Sequence, residues 1–327
     1  MPAGAGPADD TAPADLGAVV IGRNEGERLA RCLASLQGQV AQLVYVDSGS
    51  TDGSVEMARQ MGAGVVELDM ARPFTAARAR NAGLAALRGD LDLVQFVDGD
   101  CEVDAAWLPA ATRFLAANPG VAAVCGRRRE RFPEASVYNR LCDAEWDTPA
   151  GETASCGGDV LMRAGALRAA GGYREGLIAG EEPELCLRLR RAGWRIWRLE
   201  AEMTRHDAAM RRFGQWWQRS RRAGHAFAEG AALHGKAPER HWVTETRRAL
   251  LWGAVLPGVL LLAALLFGPW ALAGLLIYPA QVLRLLPRLG AERAVFLVLG
   301  KFAEAAGVVE FHWHRFRGAS SGLMEYK

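Results

Sequence analysis

The sequence predicts an α/β domain on a parallel, nucleotide-binding type of sheet, followed by a C-terminal membrane-associated helical region. Three observations carry this expectation. Short β-branched runs alternate over the first hundred residues with segments whose apolar residues recur at helical spacing, the pattern of buried strands joined by crossover helices. The run Leu93-Val94-Gln95-Phe96-Val97 ends abruptly in Asp98-Gly99-Asp100, two oxygen donors where open α/β sheets bind ligands. Ala249 to Leu283 holds no charged residue over 35 positions, too long for the core helix of a soluble domain.

At 327 residues the chain exceeds a single typical core. Its 39 basic residues are nearly matched by 37 acidic ones, for a net charge of +2, which argues against nucleic acid as a partner. Six scattered cysteines (Cys32, Cys101, Cys125, Cys142, Cys156, Cys186) form no Cys-x-x-Cys pair and read as reduced thiols. Residues 1–15, rich in Ala, Gly, Pro and Asp without a basic residue or an apolar stretch, read as a disordered tail and not as a signal peptide.

Strands are expected at Leu16–Ile21, Leu43–Val46, Val65–Leu68 and Leu93–Val97, with helices marked by Leu29, Cys32, Leu33 and Leu36 and by Leu84 and Leu87. Function should then lie in the turns at the strand C-termini. The first turn is Gly22-Arg23-Asn24-Glu25; the second is Asp47-Ser48-Gly49-Ser50-Thr51-Asp52-Gly53. Asp47 at a strand end can accept from a base N–H or a ribose hydroxyl, while Asp52 reads as a helix cap. Arg78 and Arg80 offer planar forks suited to diphosphate oxygens, although a solvated helix face has the same pattern. The Asp-x-Asp itself reads either as a site for Mg²⁺ or Mn²⁺ or as an acidic turn. A helix at Leu108–Ala117 and a strand at Ala122–Gly126 precede Arg127-Arg128-Arg129-Glu130-Arg131, read as an attractor of an acceptor phosphate or as a solvated loop. Asp143-Ala144-Glu145-Trp146-Asp147 mixes an aromatic ring with carboxylates, a combination common in sugar sites.

Taken in order, Asn24-Glu25, Val46 to Gly53, Ala79-Arg80-Asn81-Ala82-Gly83 and Val97-Asp98-Gly99-Asp100 resemble the donor-binding half of a family 2 glycosyltransferase with the GT-A fold, of the kind found in bacterial exopolysaccharide assembly. The resemblance implies a GT-A catalytic domain over residues 16–210. It implies that Asn24, Glu25, Asp47, Arg80 and Asp98 bind the donor and that Asp98 and Asp100 bind the metal. Ser48 departs from the family, many members of which carry a second Asp. Cys156-Gly157-Gly158-Asp159 and Gly171-Gly172-Tyr173 resemble the family's acceptor turns, so Gly158, Asp159 and Trp146 are expected on the acceptor side. The acidic pair of Gly180-Glu181-Glu182-Pro183-Glu184 stands at a helix N-terminus, where acids also complement the dipole. By the resemblance Glu182 is the catalytic base, with Glu181 as the other candidate because a Glu replaces the commoner Asp. His206 is either a metal ligand, as late histidines of GT-A enzymes often are, or structural.

The remaining chain divides into amphipathic interfacial helices at 211–246, a transmembrane or re-entrant hairpin at 247–288 turning near Gly268-Pro269, and an amphipathic region at 289–327. The first segment offers Gln215, Trp216, Trp217 and Gln218 without the Gln-x-x-Arg-Trp order of processive synthases. Arg247, Arg248, Arg284 and Arg288 flank the apolar stretch and place both ends in the cytoplasm. The resemblance thus implies an inverting, metal-dependent transfer of sugar from a nucleoside diphosphate sugar to a lipid-linked polyprenyl acceptor in polysaccharide biosynthesis. The enzyme would sit at the inner membrane with its catalytic domain facing the cytoplasm. The alternatives are a polyprenyl-phosphate glycosyltransferase and a non-catalytic scaffold.

Overall fold

In the computed structural model, β1 (Leu16–Gly22) is buried along nearly its whole length, and α1 (Glu27–Leu36) covers it with Leu29, Cys32, Leu33 and Leu36, one apolar stripe at i, i+3, i+4 and i+7. The structure describes residues 15–318, so the expected tail lies, Asp15 apart, outside the described residues. The strand–helix unit repeats through β2 (Gln42–Asp47), α2 (Ser54–Gln60), β3 (Gly64–Glu67), α3 (Ala76–Ala86) and β4 (Leu93–Asp98). These four strands are parallel in the order β3-β2-β1-β4, so their C-terminal turns open on one edge. Asp47 pairs in register with Gly22 and Asp98 with Ile21, which sets both acids beside the end of β1.

The sheet then changes character. It is extended by β5 (Cys101–Val103), α4 (Trp107–Ala117), β6 (Val121–Glu130), α5 (Val137–Trp146), β7 (Gly151–Thr153), β8 (Val160–Arg163), α6 (Ala164–Ala169), α7 (Glu181–Arg191) and β9 (Arg195–His206). Strand order continues β4-β8-β6-β9-β5, with β7 on β9. β8 runs antiparallel to β4 and β6, and β5 antiparallel to β9 sets Cys101 opposite His206. The basic cluster after Gly126 is no loop. Pairing with β9 carries β6 through Glu130, so Arg127 to Arg129 alternate across a strand instead of trailing in solvent.

Helices α8 (Phe213–His234), α9 (Val243–Leu250), α10 (Leu256–Phe267) and α11 (Ile277–Arg317) complete the chain. A π-helical turn at Leu251–Val255 joins α9 to α10, and Val243–Phe267 is the one stretch among the described residues long and apolar enough to cross a membrane. It fits a membrane-associated region. The two expected spans are not equivalent, because the return arm begins as a 3₁₀ segment, Pro269–Leu276, and meets Arg284 and Arg288 soon after α11 starts. Gly290 (φ 75°) kinks α11.

One face of the expected amphipathic C-terminal region is packed inside the protein. The stripe Ala294, Val298, Ala303, Ala305, Val308 and Phe311 of α11 is buried, and α11 packs along α8. Gly224 and Gly307 allow that approach, since a Cβ on either would collide with a backbone carbonyl of the other helix.

Candidate active site

Arg80, on α3 and almost fully buried, is the centre of the site. Its Nη2 donates to Asp98 Oδ1 at 2.8 Å, and its Nη1 contacts Glu181 Oε1 and Glu182 Oε1, each at 2.8 Å. One planar fork thus joins the Asp-x-Asp strand end to the acidic pair of α7, two elements far apart in sequence. The Arg80 guanidinium also stands over the Tyr173 ring, 5.6 Å from its centroid. Gly158 lies directly against this ion pair: a Cβ there would collide with Arg80 Nη2 and lie 2.9 Å from Asp98 Oδ2, so only glycine lets the turn close over it.

Glu181 and Glu182 begin α7 after Gly180, whose φ of 82° makes the sharp entry. Glu182 keeps 12% of its side chain exposed against 5% for Glu181. Burial, reinforced by the neighbouring Glu181 charge and opposed by Arg80, raises the Glu182 carboxyl from 4.5 to about 7. Glu184 is turned away and is taken up by Arg188, Arg174 and His234.

Asp100 lies under the strand end with Oδ2 at 3.1 Å from His206 Nε2. Asp100, Cys101 and His206, all buried, bring one potential ligand atom each within 4.8 Å of one another. A carboxylate and an imidazole suit Mn²⁺ or Mg²⁺, whereas burial pushes the Cys101 thiol well above its ordinary value and keeps it a neutral, soft neighbour. The donor set therefore fits a divalent cation at Asp100 and His206. Asp98, expected beside them, faces Arg80 at 2.8 Å and Arg128 at 3.4 Å.

Several of the expected binding residues have partners within the protein. Asp159, expected to touch a sugar hydroxyl, is fully buried: its Oδ1 accepts from the Asp98 N–H at 3.0 Å, while Oδ2 accepts from Thr204 Oγ1 and Arg128 at 2.7 Å. It props up Asp98 from below. Asn24 acts as a clasp between two turns, with Oδ1 accepting from Thr51 N at 2.7 Å and its own N–H donating to Ser50 Oγ. Asp47 likewise organises its turn, Oδ2 accepting from the Gly49 and Ser50 N–H groups and Oδ1 from Tyr45 Oη. Glu25 pairs with Arg28 at 2.8 Å and packs between Gly22 and Gly99 at the sheet edge. Trp146 stands edge-on to the His206 ring at 4.9 Å and under the Arg128 guanidinium, which walls the site on its α5 side.

Three contributors escaped the sequence. Arg128 reads as one of a run of arginines until β6 pairs with β9 and turns it onto Asp98 and Asp159. Glu130 lies buried behind His206, its Oε2 3.7 Å from Nδ1, and holds the N–H groups of Phe132 and Ala208. Asn81 exchanges hydrogen bonds with the Tyr173 backbone and so fixes the Gly-Gly-Tyr turn; its place beside Arg80 in the motif was the available signal.

Residues 18–156 match the family model described as Glycosyl transferase family 2. The chain is 31% identical over 169 residues to the succinoglycan biosynthesis protein ExoA of Rhizobium meliloti, covering 48% of this chain and 51% of that protein. It is 39% identical over 94 residues to a TPR repeat-containing protein of Synechococcus elongatus, 29% of this chain and 23% of the other. The chain thus spans about half of the first of these relatives and about a quarter of the second. In structure the chain is similar to the mannosyltransferase PcManGT from Pyrobaculum calidifontis, solved with GDP-Man and Mn²⁺, at a TM-score of 0.66 and 21% identity over 92% of this chain and 88% of that one. The shared fold is GT-A.

Proposed function

We propose that this chain, whose residues 18–156 match the Glycosyl transferase family 2 model, transfers a sugar from a nucleoside diphosphate sugar to a lipid-linked acceptor with inversion, in polysaccharide biosynthesis. The observation that carries this reading is the Arg80 bridge, which sets Glu182, with its carboxyl raised to about 7, next to the Asp-x-Asp strand end. A carboxyl of that affinity is matched to proton transfer near neutral pH. Glu182 accepts the proton of the acceptor hydroxyl as its oxygen attacks the anomeric carbon from the face opposite the diphosphate, which leaves with its electron pair. Arg80 orients Glu182 and Asp98, and Arg128 with Asp159 holds Asp98 in place. Asp100 and His206 would hold Mg²⁺ or Mn²⁺, which when bound neutralises charge on the departing diphosphate.

A membrane acceptor is supported by the junction at Trp242. This residue, immediately before α9, packs on Gly180, immediately before Glu181, so the apolar helix is coupled directly to the proposed base. That arrangement suits a cytoplasmic catalytic domain held against the inner membrane, with a polyprenyl carrier bringing the acceptor. The test is transfer by the purified full chain, with and without EDTA, in Asp100→Asn and Glu182→Gln variants. Transfer unchanged in both would overturn the reading. A thermal-shift panel of nucleoside diphosphates with Mn²⁺ identifies the nucleotide of the donor.

A further inference from the structure

At the foot of the apolar helix lies a cavity of about 580 Å³ that the glycosyltransferase site does not use. It is a wedge between α9 with the π-helical turn on one side and the two halves of α11, on either side of the Gly290 kink, on the other. Its volume falls within the roughly 300–1,000 Å³ of ligand pockets.

Four cations line it, Arg248, Arg284, Arg288 and Lys301, and none of the lining residues is acidic. Lys301 is neutralised by Glu304 at 2.6 Å. Among the described residues the side chains of these three arginines make no ion pair or hydrogen bond, although all three line one cavity. Three like charges gathered without a protein partner repel one another, and an anion relieves that repulsion. Trp252 and Tyr278 line the same wedge, with ring centroids 6.1 Å apart and Tyr278 Oη anchored on the Trp252 carbonyl. Their faces suit the glycerol or first isoprene units next to a phosphate, and their place beside arginines is that of residues at headgroup depth. Depth agrees: Arg248 lies near the start of the membrane-length stretch Val243–Phe267, and Arg284 and Arg288 follow its return arm, while Leu265, Leu266, Phe267 and Trp270 project at the far tip.

We propose that this wedge binds the phosphate headgroup of a membrane lipid. The guanidiniums supply paired donors to phosphate oxygens, and the acyl or prenyl chain runs along the exposed apolar face of α10. The inference rests on the wedge itself and not on the acceptor of the glycosyl transfer. The shared chemistry has two sources, an anionic phospholipid of the bilayer and a polyprenyl phosphate carrier.

The experiment is native mass spectrometry of the full chain released from detergent after titration with phosphatidylglycerol, undecaprenyl phosphate or phosphatidylcholine. Retention of either lipid of net negative charge over the zwitterionic phosphatidylcholine is expected, and the lipid retained identifies the source. Arg284→Glu and Arg288→Glu should each weaken retention about fivefold or more. Arg293→Glu, on the same helix outside the wedge, should leave it unchanged. Equal retention of phosphatidylcholine, retention undiminished in the wedge variants, or the same loss in Arg293→Glu overturns the proposal. Each variant's thermal shift with nucleoside diphosphate and Mn²⁺ checks that the domain is folded, so a loss of lipid in a variant that still binds nucleotide reports on the wedge alone.

Discussion

Arg80→Met tests the Arg80 bridge directly. The substitution keeps most of the side-chain volume and removes the cation that contacts Asp98, Glu181 and Glu182 together, each at 2.8 Å. With the charge centres of guanidinium and carboxylate roughly 4 Å apart, a single such pair amounts to about 4 kcal/mol at an effective dielectric near 20. Desolvation offsets much of that, and removing one partner of a buried ionic cluster costs about 3–5 kcal/mol because the remaining charges stay buried. For a domain of this size the melting temperature should fall by roughly 6–20 °C. The deficit should depend on pH in a defined direction. A carboxyl raised above 4.5, as Glu182 is to about 7, contributes stability below its ordinary value, and that contribution is lost as pH rises through about 7. Without the Arg80 charge, which lowers it, Glu182 is raised further. The variant's deficit should therefore be largest near pH 8 and shrink toward pH 5.5, where Glu182 is protonated. Differential scanning fluorimetry across that range measures it. An unchanged melting temperature, or a deficit constant with pH, would refute the role of Arg80 as shared counter-charge.

Glu182→Gln should lower kcat by about 10²–10⁴ with donor affinity retained, whereas Glu181→Gln, the more buried acid, should lose less. In the wild type, kcat/KM should rise with pH and level off above about 7, read from initial rates at low acceptor. His206→Gln and Asp100→Asn should each weaken Mn²⁺-dependent nucleotide binding by calorimetry, since both side chains face one point. Gly158→Ala should destabilise the fold by about 1–3 kcal/mol in denaturant titration, because the added methyl displaces Arg80 from Asp98.

The first four strands were legible because a buried strand and its crossover helix each impose their own apolar period, and Leu29, Cys32, Leu33 and Leu36 display it locally. The acids at the ends of those strands, and the acidic pair at a helix start, were legible for the same reason: Asp47, Asp98, Asp100, Glu181 and Glu182 mark where a regular element stops or begins. Their order along the chain carried the resemblance to family 2 enzymes. The amphipathic and apolar C-terminal segments were also visible as composition.

What each side chain touches was decided by contacts between distant parts of the chain. Arg80 meets Glu181 across 101 positions, and Asp159 reaches the Asp98 N–H across 61, distances over which no local period operates. Whether Arg128 is solvated or aimed at Asp98 depends on the pairing of β6 with β9, because a strand sends alternate residues to opposite faces once its partner fixes the sheet. The C-terminal half of α11 packs on α8 because its apolar stripe finds a partner there and because Gly224 and Gly307 let the two backbones approach, a match that exists only when both helices are in place. The acids at the Asp-x-Asp were therefore determined by the sequence alone. Their division, with Asp98 on the arginines and Asp100 beside His206, was decided by the tertiary structure, which brings β9 and α7 to the end of β4.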